Sequence, residues 1–349
     1  EHCTAEQALH KSEEIRGWVE QFRFLWEDNN FAVGVSIGIT EINANTTSSL
    51  DALKRADMAC YAAKDAGRNR IHIYKDDDKL LMERSGEMHN VNRIKRALEE
   101  DRFVLYVQPI RPIDDRQHAV SYEILLRMYD DEGELLPPGA FLPAAERYSL
   151  ISRIDHWVVD KVFSWIYLHP EEMASISGFS INLSGQSLGD DSLLGNIIRH
   201  LKTDRLPADK IKFEITETAA IANLANANSF IASLKEFGVE FALDDFGSGL
   251  SSFGYLKNLQ VDYLKIDGMF VKDMLTDPID SAMVKSINDI GHVMGMATIA
   301  EFVENDEVLQ ALAELRVDFV QGYGIGRPMP IDEMLSTTQP FRPRLQSAP

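Results

Sequence analysis

The stretch FVLYVQPIRPIDDRQHAVSYEILLRM (residues 103–128) contains two apolar runs with the β-branched and aromatic composition that is typical of strands. The gap between the two runs, RPIDDRQH (111–118), is shorter than the dozen or so residues that a parallel crossover requires. The two runs are therefore predicted to pair as an antiparallel hairpin.

Further β-rich runs follow along the chain, and the gaps between them are long enough for crossover helices, as in residues 185–206 and 223–238. Eight strands joined in this way predict an α/β fold, a closed (β/α)₈ TIM-like barrel with one antiparallel strand. The later runs are FSINLS (179–184), IKFEITE (211–217), EFALDDFG (240–247), YLKIDG (263–268), ATIAEFVE (297–304) and FVQGY (319–323).

The residues before the barrel predict a smaller α/β fragment. FAVGVSIGIT (31–40) is typical of a strand, residues 50–70 of a helix that ends at Gly67, and IHIY (71–74) of a second strand. Residues 82–101 have apolar side chains at helical spacing and predict a linking helix. The predicted organisation is a fragment at 1–78, a linking helix at 79–101, the barrel domain at 102–340 and a tail at 341–349.

The composition narrows the class of protein. The 349 residues include 35 Lys and Arg against 55 Asp and Glu, and the net charge of −20 argues against a nucleic-acid polymer or an anionic membrane as partner. No apolar run approaches the roughly 18 residues needed to span a bilayer. Cys3 and Cys60 show neither disulfide nor zinc spacing, which fits the cytoplasm. Since the chain starts with Glu1, we expect a segment of a longer protein, whose sensor or membrane anchor would lie upstream.

Most of the predicted strands carry a polar residue near the end where catalytic groups of such barrels collect. Several carboxylates at one end repel one another unless cations compensate, and an oxygen-rich set without His or Cys favours Mg²⁺ or Mn²⁺. A pair of such ions suits phosphodiester hydrolysis by an activated water. Asp244 and Asp245 would point to opposite faces of a regular strand, so the strand must twist or end there. The residues are Glu123, Asn182, Glu214, Asp244, Asp245, Lys265, Asp267, Glu301 and Gln321.

Each of these residues taken alone has a simpler interpretation. A single strand acid is more often solvated or ion-paired, Asn182 could cap the next helix, and Lys265 could pair with Asp267 on the same strand face. Gln321 and Gly322 together could form a turn. Their recurrence on successive strands favours a shared site.

Nine strings in order resemble the signature of EAL-type cyclic di-GMP phosphodiesterases, and they cover about two thirds of the chain. The resemblance implies metal-dependent hydrolysis of cyclic di-GMP to linear pGpG in bacterial signalling, by a homodimer. The strings are QPI (108–110), EILLR (123–127), FLPAAERYSLISRIDHWVV (141–159), INLS (181–184), FEITET (213–218), DDFGSGLSS (244–252), LKID (264–267), AEFVE (300–304) and QGYGIGRPMP (321–330).

The resemblance also implies a role for each matching residue. Glu123, Glu301 and Lys265 would be catalytic, with Lys265 acting on the attacking water, and Glu217 would stabilise the DDFGSG loop. Metal ligands would be Glu123, Asn182, Glu214 and Asp244 for one ion and Asp244, Asp245 and Glu301 for the other. Independently of the resemblance, calcium is expected to inhibit, because its longer and less regular coordination would misplace the water between the acids. The expected substrate contacts are Gln108, Leu125, Arg127, Asp267 and Gln321.

Two positions depart from the family pattern, Ile124 in EIL and Phe302 in AEFVE. Strand alternation predicts that both side chains point away from the barrel interior.

Residues 31–74 resemble the C-terminal half of a GGDEF-type diguanylate cyclase, but the motif that names that family is absent from the chain. Cyclase activity is therefore not expected.

Two other functions compete with hydrolysis. A degenerate EAL domain could bind cyclic di-GMP as a weakly active or inactive receptor, although such receptors are expected to lose metal ligands and this chain keeps every one. A docking unit without a ligand is the third possibility. It predicts no gain in stability with cyclic di-GMP, whereas a binder at 100 times its dissociation constant gains roughly 2.7 kcal/mol.

Overall fold

A computed structural model describes residues 4–26, 29–32, 34–42, 48–65, 67, 69–75, 90–114, 120–203, 206–247 and 254–336. The chain divides into two compact units, Glu1–Arg93 and Ile94–Pro349. Cys3, the tail at 341–349 and residues 79–89 of the predicted linking segment lie outside the described residues. Among the described helices, none is long and apolar enough to cross a membrane.

The first unit pairs short strands with helices. Strands β3 and β4 are parallel, and the amide of Tyr74 extends the pairing by donating to the carbonyl of Ile39 at 2.7 Å. The prediction of one strand over 31–40 is wrong, because β2 belongs to a separate antiparallel hairpin with β1. The elements are α1 (Ala5–Gln21), β1 (Arg23–Trp26), β2 (Asn29–Ala32), β3 (Ile37–Ile39), α2 (Ser49–Asp65) and β4 (Ile71–Ile73).

Gly67 follows helix α2 with a φ of +114°, a conformation that glycine adopts without the penalty of a Cβ atom. The helix therefore ends where the sequence predicted a stop. In the linking segment, the described helix α3 covers residues 90–99 and buries Val91 and Ile94 on one face. The earlier part of the predicted linking helix, residues 82–89, is outside the described range.

The second unit is built on a closed barrel of eight strands. Their order around the barrel is β5, β13, β12, β11, β10, β9, β8 and β6, and β6 pairs with β5 to close it. The barrel strands are β5 (Phe103–Pro112), β6 (Ser121–Tyr129), β8 (Gly178–Leu183), β9 (Ile211–Thr216), β10 (Glu240–Phe246), β11 (Tyr263–Ile266), β12 (Ala297–Ala300) and β13 (Phe319–Gln321).

Strand β5 runs antiparallel to both of its barrel neighbours, β6 and β13, whereas the other barrel pairings are parallel. The predicted barrel with one reversed strand is thereby confirmed. Two short strands, β7 (Leu135–Leu136) and β14 (Met329–Pro330), add antiparallel pairings to β6 and β5.

Helices surround the barrel and supply the outer half of its core. Helix α5, in the crossover from β6 to β8, contributes nine buried residues, and helix α7, in the crossover from β8 to β9, has a strongly one-sided apolar face. The helices are α4 (Leu142–Arg147), α5 (Ile151–Leu168), α6 (Pro170–Ser175), α7 (Asp191–Leu201), α8 (Glu217–Ala222), α9 (Leu224–Lys235), α10 (Gly268–Asp273), α11 (Pro278–Val293) and α12 (Asp306–Glu314).

Candidate active site at the carboxyl-terminal end of the barrel

The Lys265 side chain lies at the centre of a ring of carboxylates and is completely buried. Its Nζ is 2.7 Å from Glu214 Oε2, 2.8 Å from Glu301 Oε1 and 2.9 Å from Asp244 Oδ1, and Glu123 Oε2 is 3.6 Å away. Each acid comes from a different strand or strand end. The parallel register therefore brings together residues that lie far apart in the sequence.

A chain of amide and carboxylate hydrogen bonds extends from this ring. Asn182 Nδ2 donates to Glu123 Oε1 at 2.7 Å, and Gln321 Nε2 donates to the other oxygen of Glu123 at 2.5 Å. Gln321 also approaches Gln108 Oε1 at 3.3 Å, and Gln108 donates to the carbonyl of Gly326 at 3.0 Å. Four predicted site residues from four strands thus form one connected network.

The end of strand β10 brings two adjacent aspartates to one site. The pairing of β10 with β11 is irregular between Leu243 and Phe246, and Asp245 has a φ of +54°. This left-handed residue breaks the alternation of side chains, so Asp244, Asp245 and Glu301 have carboxylate oxygens within 4.8 Å of one another. The predicted twist or end of the strand is confirmed.

These side chains fit a hard divalent cation. Glu214 Oε1 is buried and has no hydrogen-bond partner among the described residues, although its Oε2 receives the Lys265 ammonium. A buried carboxylate oxygen without a donor is costly, and a cation would supply the missing partner. Carboxylates with one Asn amide and no thiolate or imidazole are the donor set that Mg²⁺ and Mn²⁺ prefer.

Burial and mutual repulsion raise the pKa values of several of these acids. Burial is the largest cause for Glu214, whose pKa rises to about 7, and for Glu301, whose pKa rises to about 8, while Lys265 opposes both shifts. Partial desolvation and the charges of Asp244 and Asp267 raise the pKa of Asp245 to about 6. Burial alone would lower the pKa of Lys265, but the surrounding carboxylates raise it well above its usual value.

Glu217 fixes the segment that follows the two aspartates. Its Oε2 accepts a hydrogen bond from the amide of Gly247 at 3.1 Å, and its Oε1 accepts one from the Tyr255 hydroxyl at 2.6 Å. Gly247 has a φ of +98°, which suits a glycine. Residues 248–253 lie outside the described range, but Glu217 contacts the chain on both sides of them.

A cavity of about 320 Å³ opens beside the acid ring. Arg127 lies in its wall, where one guanidinium nitrogen donates to the carbonyl of Leu126 at 2.8 Å and the group lies 5.2 Å from the centre of the Tyr106 ring. The cavity is lined by Gln108, Glu123, Leu125, Arg127, Glu301, Phe302 and Gln321, among others. Four of the five predicted substrate contacts therefore line one cavity.

A second cavity, of about 540 Å³, borders the other side of the acids and shares Leu125 with the first. Asn182, Asp244 and Asp245 lie in its wall together with the apolar face of α5. Ile124 lines this cavity and is buried, away from the acid ring as predicted.

The prediction for Phe302 is wrong. Strand β12 ends at Ala300, and Phe302 has a φ of +54°, so strand alternation no longer applies at this position. Its side chain is 60% exposed and lines the smaller cavity, and its ring lies so close to Gly268 that a Cβ atom there would be 2.1 Å from Phe302 Cδ2. Phe302 therefore borders the candidate site and is not packed between barrel and helices.

Asp267 occupies a different position from the other predicted residues. It follows strand β11 and caps helix α10, where its carboxylate accepts a hydrogen bond from the amide of Met269 at 2.9 Å. Lys265 does not pair with Asp267 in the described contacts, since its ammonium faces the acid ring. The simpler interpretation of this pair is thereby excluded.

Two residues near the site were missed from the sequence. Asp155 of helix α5 is buried and accepts hydrogen bonds from the amide of Ser184 at 2.9 Å and the hydroxyl of Ser187 at 2.6 Å, which holds the chain just after Asn182. Tyr255 is the second, through its bond to Glu217. An aspartate on the apolar face of ISRIDHWVVDKVF (151–163) was a signal for the first.

Comparison with known proteins identifies the family of this barrel. The EAL domain model matches residues 91–328, and the diguanylate cyclase GGDEF-domain model matches residues 1–70. The chain is 43% identical to cyclic di-GMP phosphodiesterase PdeB of Shewanella oneidensis over 86% of its own length, and 32% identical to PdeF of Escherichia coli over 93%. It spans 35% and 43% of those two proteins.

Solved structures show the same fold. The PaMucR phosphodiesterase in complex with c-di-GMP is 31% identical, with a TM-score of 0.65, and the match covers 70% of this chain and 99% of that one. The EAL domain of FimX from Pseudomonas aeruginosa, bound to c-di-GMP, is 30% identical with a TM-score of 0.63 and covers 68% and 96%. The fold of the barrel is that of the matched structures, and the family model covers residues 91–328. The chain therefore belongs to the EAL domain family.

Proposed function

We propose that this chain hydrolyses cyclic di-GMP to linear pGpG and that the acid ring around Lys265 is its catalytic site. The convergence of Glu123, Glu214, Asp244 and Glu301 on one buried ammonium carries the proposal. Named cyclic di-GMP phosphodiesterases among its relatives and c-di-GMP complexes among similar structures support the choice of substrate.

Charge favours two divalent cations at this site. Five predicted ligand carboxylates and one lysine sum to −5 + 1 = −4 when all are ionised, and two divalent ions would neutralise this charge. Glu123, Asn182, Glu214 and Asp244 would hold one ion, and Asp244, Asp245 and Glu301 the other. Mg²⁺ or Mn²⁺ bound there would activate the attacking water and stabilise charge on the phosphoryl oxygens.

The chain's own residues would then perform distinct tasks. Lys265, held by three short ion pairs, would orient the water and stabilise negative charge as it develops. Arg127 would bind a phosphate through charge-assisted hydrogen bonds, since its guanidinium has donors beyond the one used on Leu126. Gln321 and Gln108 would fix the orientation of Glu123 and of the substrate.

The reaction would open one of the two phosphodiester bonds in the ring of the substrate. The water oxygen joins phosphorus, the bond from phosphorus to the leaving sugar oxygen breaks, and that oxygen receives a proton. A linear dinucleotide with one terminal phosphate results. We further propose that the protein acts in the cytoplasm as a homodimer.

Exchange of the metal ion should separate hydrolysis of cyclic di-GMP from its binding. Mg²⁺ requires near-octahedral coordination at about 2.0–2.1 Å, while Ca²⁺ accepts six to eight ligands at roughly 2.3–2.6 Å. The parent protein should therefore bind cyclic di-GMP in either ion and cleave it only in Mg²⁺ or Mn²⁺. Calorimetric affinity and single-turnover cleavage measured side by side would test this. Binding without cleavage in every metal would support the alternative, a catalytically weak receptor.

A further inference from the structure

A separate cavity of about 340 Å³ lies at the amino-terminal end of the barrel. Its wall contains residues that lie two positions before site residues on the same strands, as Lys212 does before Glu214 and Tyr263 before Lys265. Because residues two apart on a strand project to the same face, these side chains form the barrel layer beneath the acid ring. The layer includes Ser121, Ser180, Lys212, Glu240, Tyr263 and Phe319.

Register places three of these polar residues side by side. Ser180 pairs with Lys212 across β8 and β9, and Lys212 pairs with Glu240 across β9 and β10. A hydroxyl, an ammonium and a carboxylate therefore lie at one level of three adjacent parallel strands. The interior of small barrels is normally filled at each level by branched apolar side chains, so a polar layer next to a cavity is unusual.

Lys212 is a buried lysine without a direct ion pair in the described parts of the chain; burial lowers its pKa to about 8, against the opposing effect of the more distant charges of Glu240 and Glu214. Its side chain is only 7% exposed, and its Nζ lies 3.1 Å from the centre of the Tyr263 ring. No carboxylate oxygen lies within 4.0 Å of that nitrogen, and no hydrogen bond from it is found, within the described ranges. The aromatic face covers one side of the ammonium, and the rest of the group borders the cavity.

The neighbouring polar groups differ in whether they have hydrogen-bond partners. Ser180 is completely buried, and its Oγ has no hydrogen-bond partner among the described residues. By contrast, Lys210 donates to the carbonyls of Met173 and Ile176. Lys212 and Ser180 are therefore two adjacent donors that have not been used.

We propose that this cavity binds a small oxyanion, a carboxylate or a phosphate, whose oxygens accept hydrogen bonds from the Lys212 ammonium and the Ser180 hydroxyl. Buried cations are normally paired, and such a ligand would supply the pair. Glu240 and Asp209 also line the cavity, which disfavours a ligand with several negative charges. The proposal does not depend on the function proposed for the opposite end of the barrel.

Calorimetric titration of the full chain with acetate and with inorganic phosphate would test the proposal. A chelator should be present throughout, so that the acid ring has no metal and repels anions. Acetate binding alone would identify a carboxylate site, phosphate binding alone a phosphate site, and binding of both a general oxyanion site. Absence of saturable binding by either anion would overturn the proposal.

Variants would assign the binding to this cavity. Lys212→Met should reduce affinity at least tenfold, and Ser180→Ala should reduce it severalfold without a large change in side-chain volume. Lys285→Met, at an exposed position of helix α11, is the matched control and should bind as the parent does. Should Lys212→Met fail to fold, Ser180→Ala decides, and an unchanged affinity in that variant would place the anion elsewhere and refute the site.

Discussion

At the scale of single residues, Lys265 is the group on which the candidate site depends most. Its ammonium is the counter-ion of carboxylates whose own burial would otherwise be unfavourable. Removing one partner of a buried charge pair leaves the other uncompensated, at a cost of about 3–5 kcal/mol. The same lysine is the residue proposed to act on the attacking water.

Lys265→Ala should therefore be less stable than the parent in the absence of metal, and should be defective in cleavage when Mg²⁺ is present. In chelator we expect the free energy of unfolding to fall by about 3–5 kcal/mol, and Mg²⁺ should restore much of this loss because cations would replace the ammonium. In Mg²⁺, binding of cyclic di-GMP should be nearly normal while single-turnover cleavage falls by about 10²–10⁴. Denaturation curves and rapid-quench kinetics would measure the two effects.

The matched control for this prediction is Lys161→Ala. Lys161 pairs with Asp101 at 2.7 Å, but both side chains are exposed, so the loss should not exceed about 1 kcal/mol. Near-parent cleavage by Lys265→Ala would remove the role assigned to this lysine.

Phe302 is the residue at which sequence reasoning failed, and the structure replaces the earlier expectation. A left-handed φ at a residue with a Cβ atom costs roughly 1–2 kcal/mol, and the exposed ring lines the cavity proposed for the substrate. Phe302→Gly should change stability by no more than about 1 kcal/mol, because relief of strain offsets the lost contact with Gly268. It should raise KM for cyclic di-GMP about fivefold, since base stacking contributes roughly 1–3 kcal/mol.

Phe302→Ala separates the two effects. Alanine removes the ring and keeps the backbone penalty, so this variant should share the higher KM and unfold more easily than Phe302→Gly. If both variants keep the parent KM, the ring does not contact the substrate.

At the scale of elements, Glu217 connects helix α8 with both ends of the segment after strand β10. Glu217→Ala should weaken Mg²⁺-dependent activity at least tenfold, because the amide of Gly247 and the hydroxyl of Tyr255 lose their acceptor and Asp244 and Asp245 are held less rigidly. Tyr255→Phe removes one of the two hydrogen bonds and should have a smaller effect. Equal activity in all three proteins, measured over a Mg²⁺ titration, would contradict this prediction.

Sequence patterns were sufficient to predict some of the strand pairings and the position of the acid ring. A gap of eight residues after the first strand excluded a parallel crossover, and the antiparallel pair of β5 and β6 followed. Polar residues late in successive strands also predicted the acid ring, because the carboxyl-terminal ends of parallel barrel strands lie at the same rim. Alternation failed at Phe302, where the chain has left strand β12 and a left-handed φ sets the direction of the side chain.

Contacts between distant elements were not predictable from spacing. The bond from the chain after Asn182 to Asp155 joins a loop to helix α5, and nothing in either local sequence specifies the partner. The polar layer around Lys212 was missed because residues near the start of a barrel strand are usually structural. Only the register of several strands reveals that these residues adjoin one another.

At the scale of the whole molecule, the raised pKa values predict how metal and pH act together. Glu214 and Glu301 have pKa values of about 7 and about 8 against the usual 4.5. An acid with a raised folded pKa binds its proton more tightly when folded, so it contributes less stability as pH rises from about 4.5 through the folded value. In chelator, these groups should lower stability between about pH 5 and 8.

Metal binding requires ionised carboxylates, so the Mg²⁺-induced rise in Tm should grow over the same interval. Thermal unfolding at pH 5.5 and 8.0, with Mg²⁺ and with chelator, would measure it. Glu301→Gln keeps the shape of the side chain and should show a smaller dependence on pH. An equal Mg²⁺ shift at both pH values would contradict the assignment of these acids as ligands.

The division of the chain into two units predicts that the barrel works by itself. A shortened protein that begins near Glu83 should keep the ability to cleave cyclic di-GMP, because the acid ring and both cavities are built from residues after Arg102. The N-terminal part should make no cyclic di-GMP from GTP with any metal. Product analysis of both preparations would check this, and cleavage that requires the first unit would show that the domain boundaries are misplaced.

The central claim is that water held among these acids cuts the substrate, and isotope transfer tests it most directly. Stoichiometric cyclic di-GMP should be incubated with the parent protein and Mg²⁺ in H₂¹⁸O, and the product analysed by mass spectrometry. The account predicts linear pGpG with one ¹⁸O in its terminal phosphate, and no product from Asp244→Asn, which weakens the proposed bridge between both ions. Recovery of intact cyclic dinucleotide from the parent, or a product without the label, would contradict it.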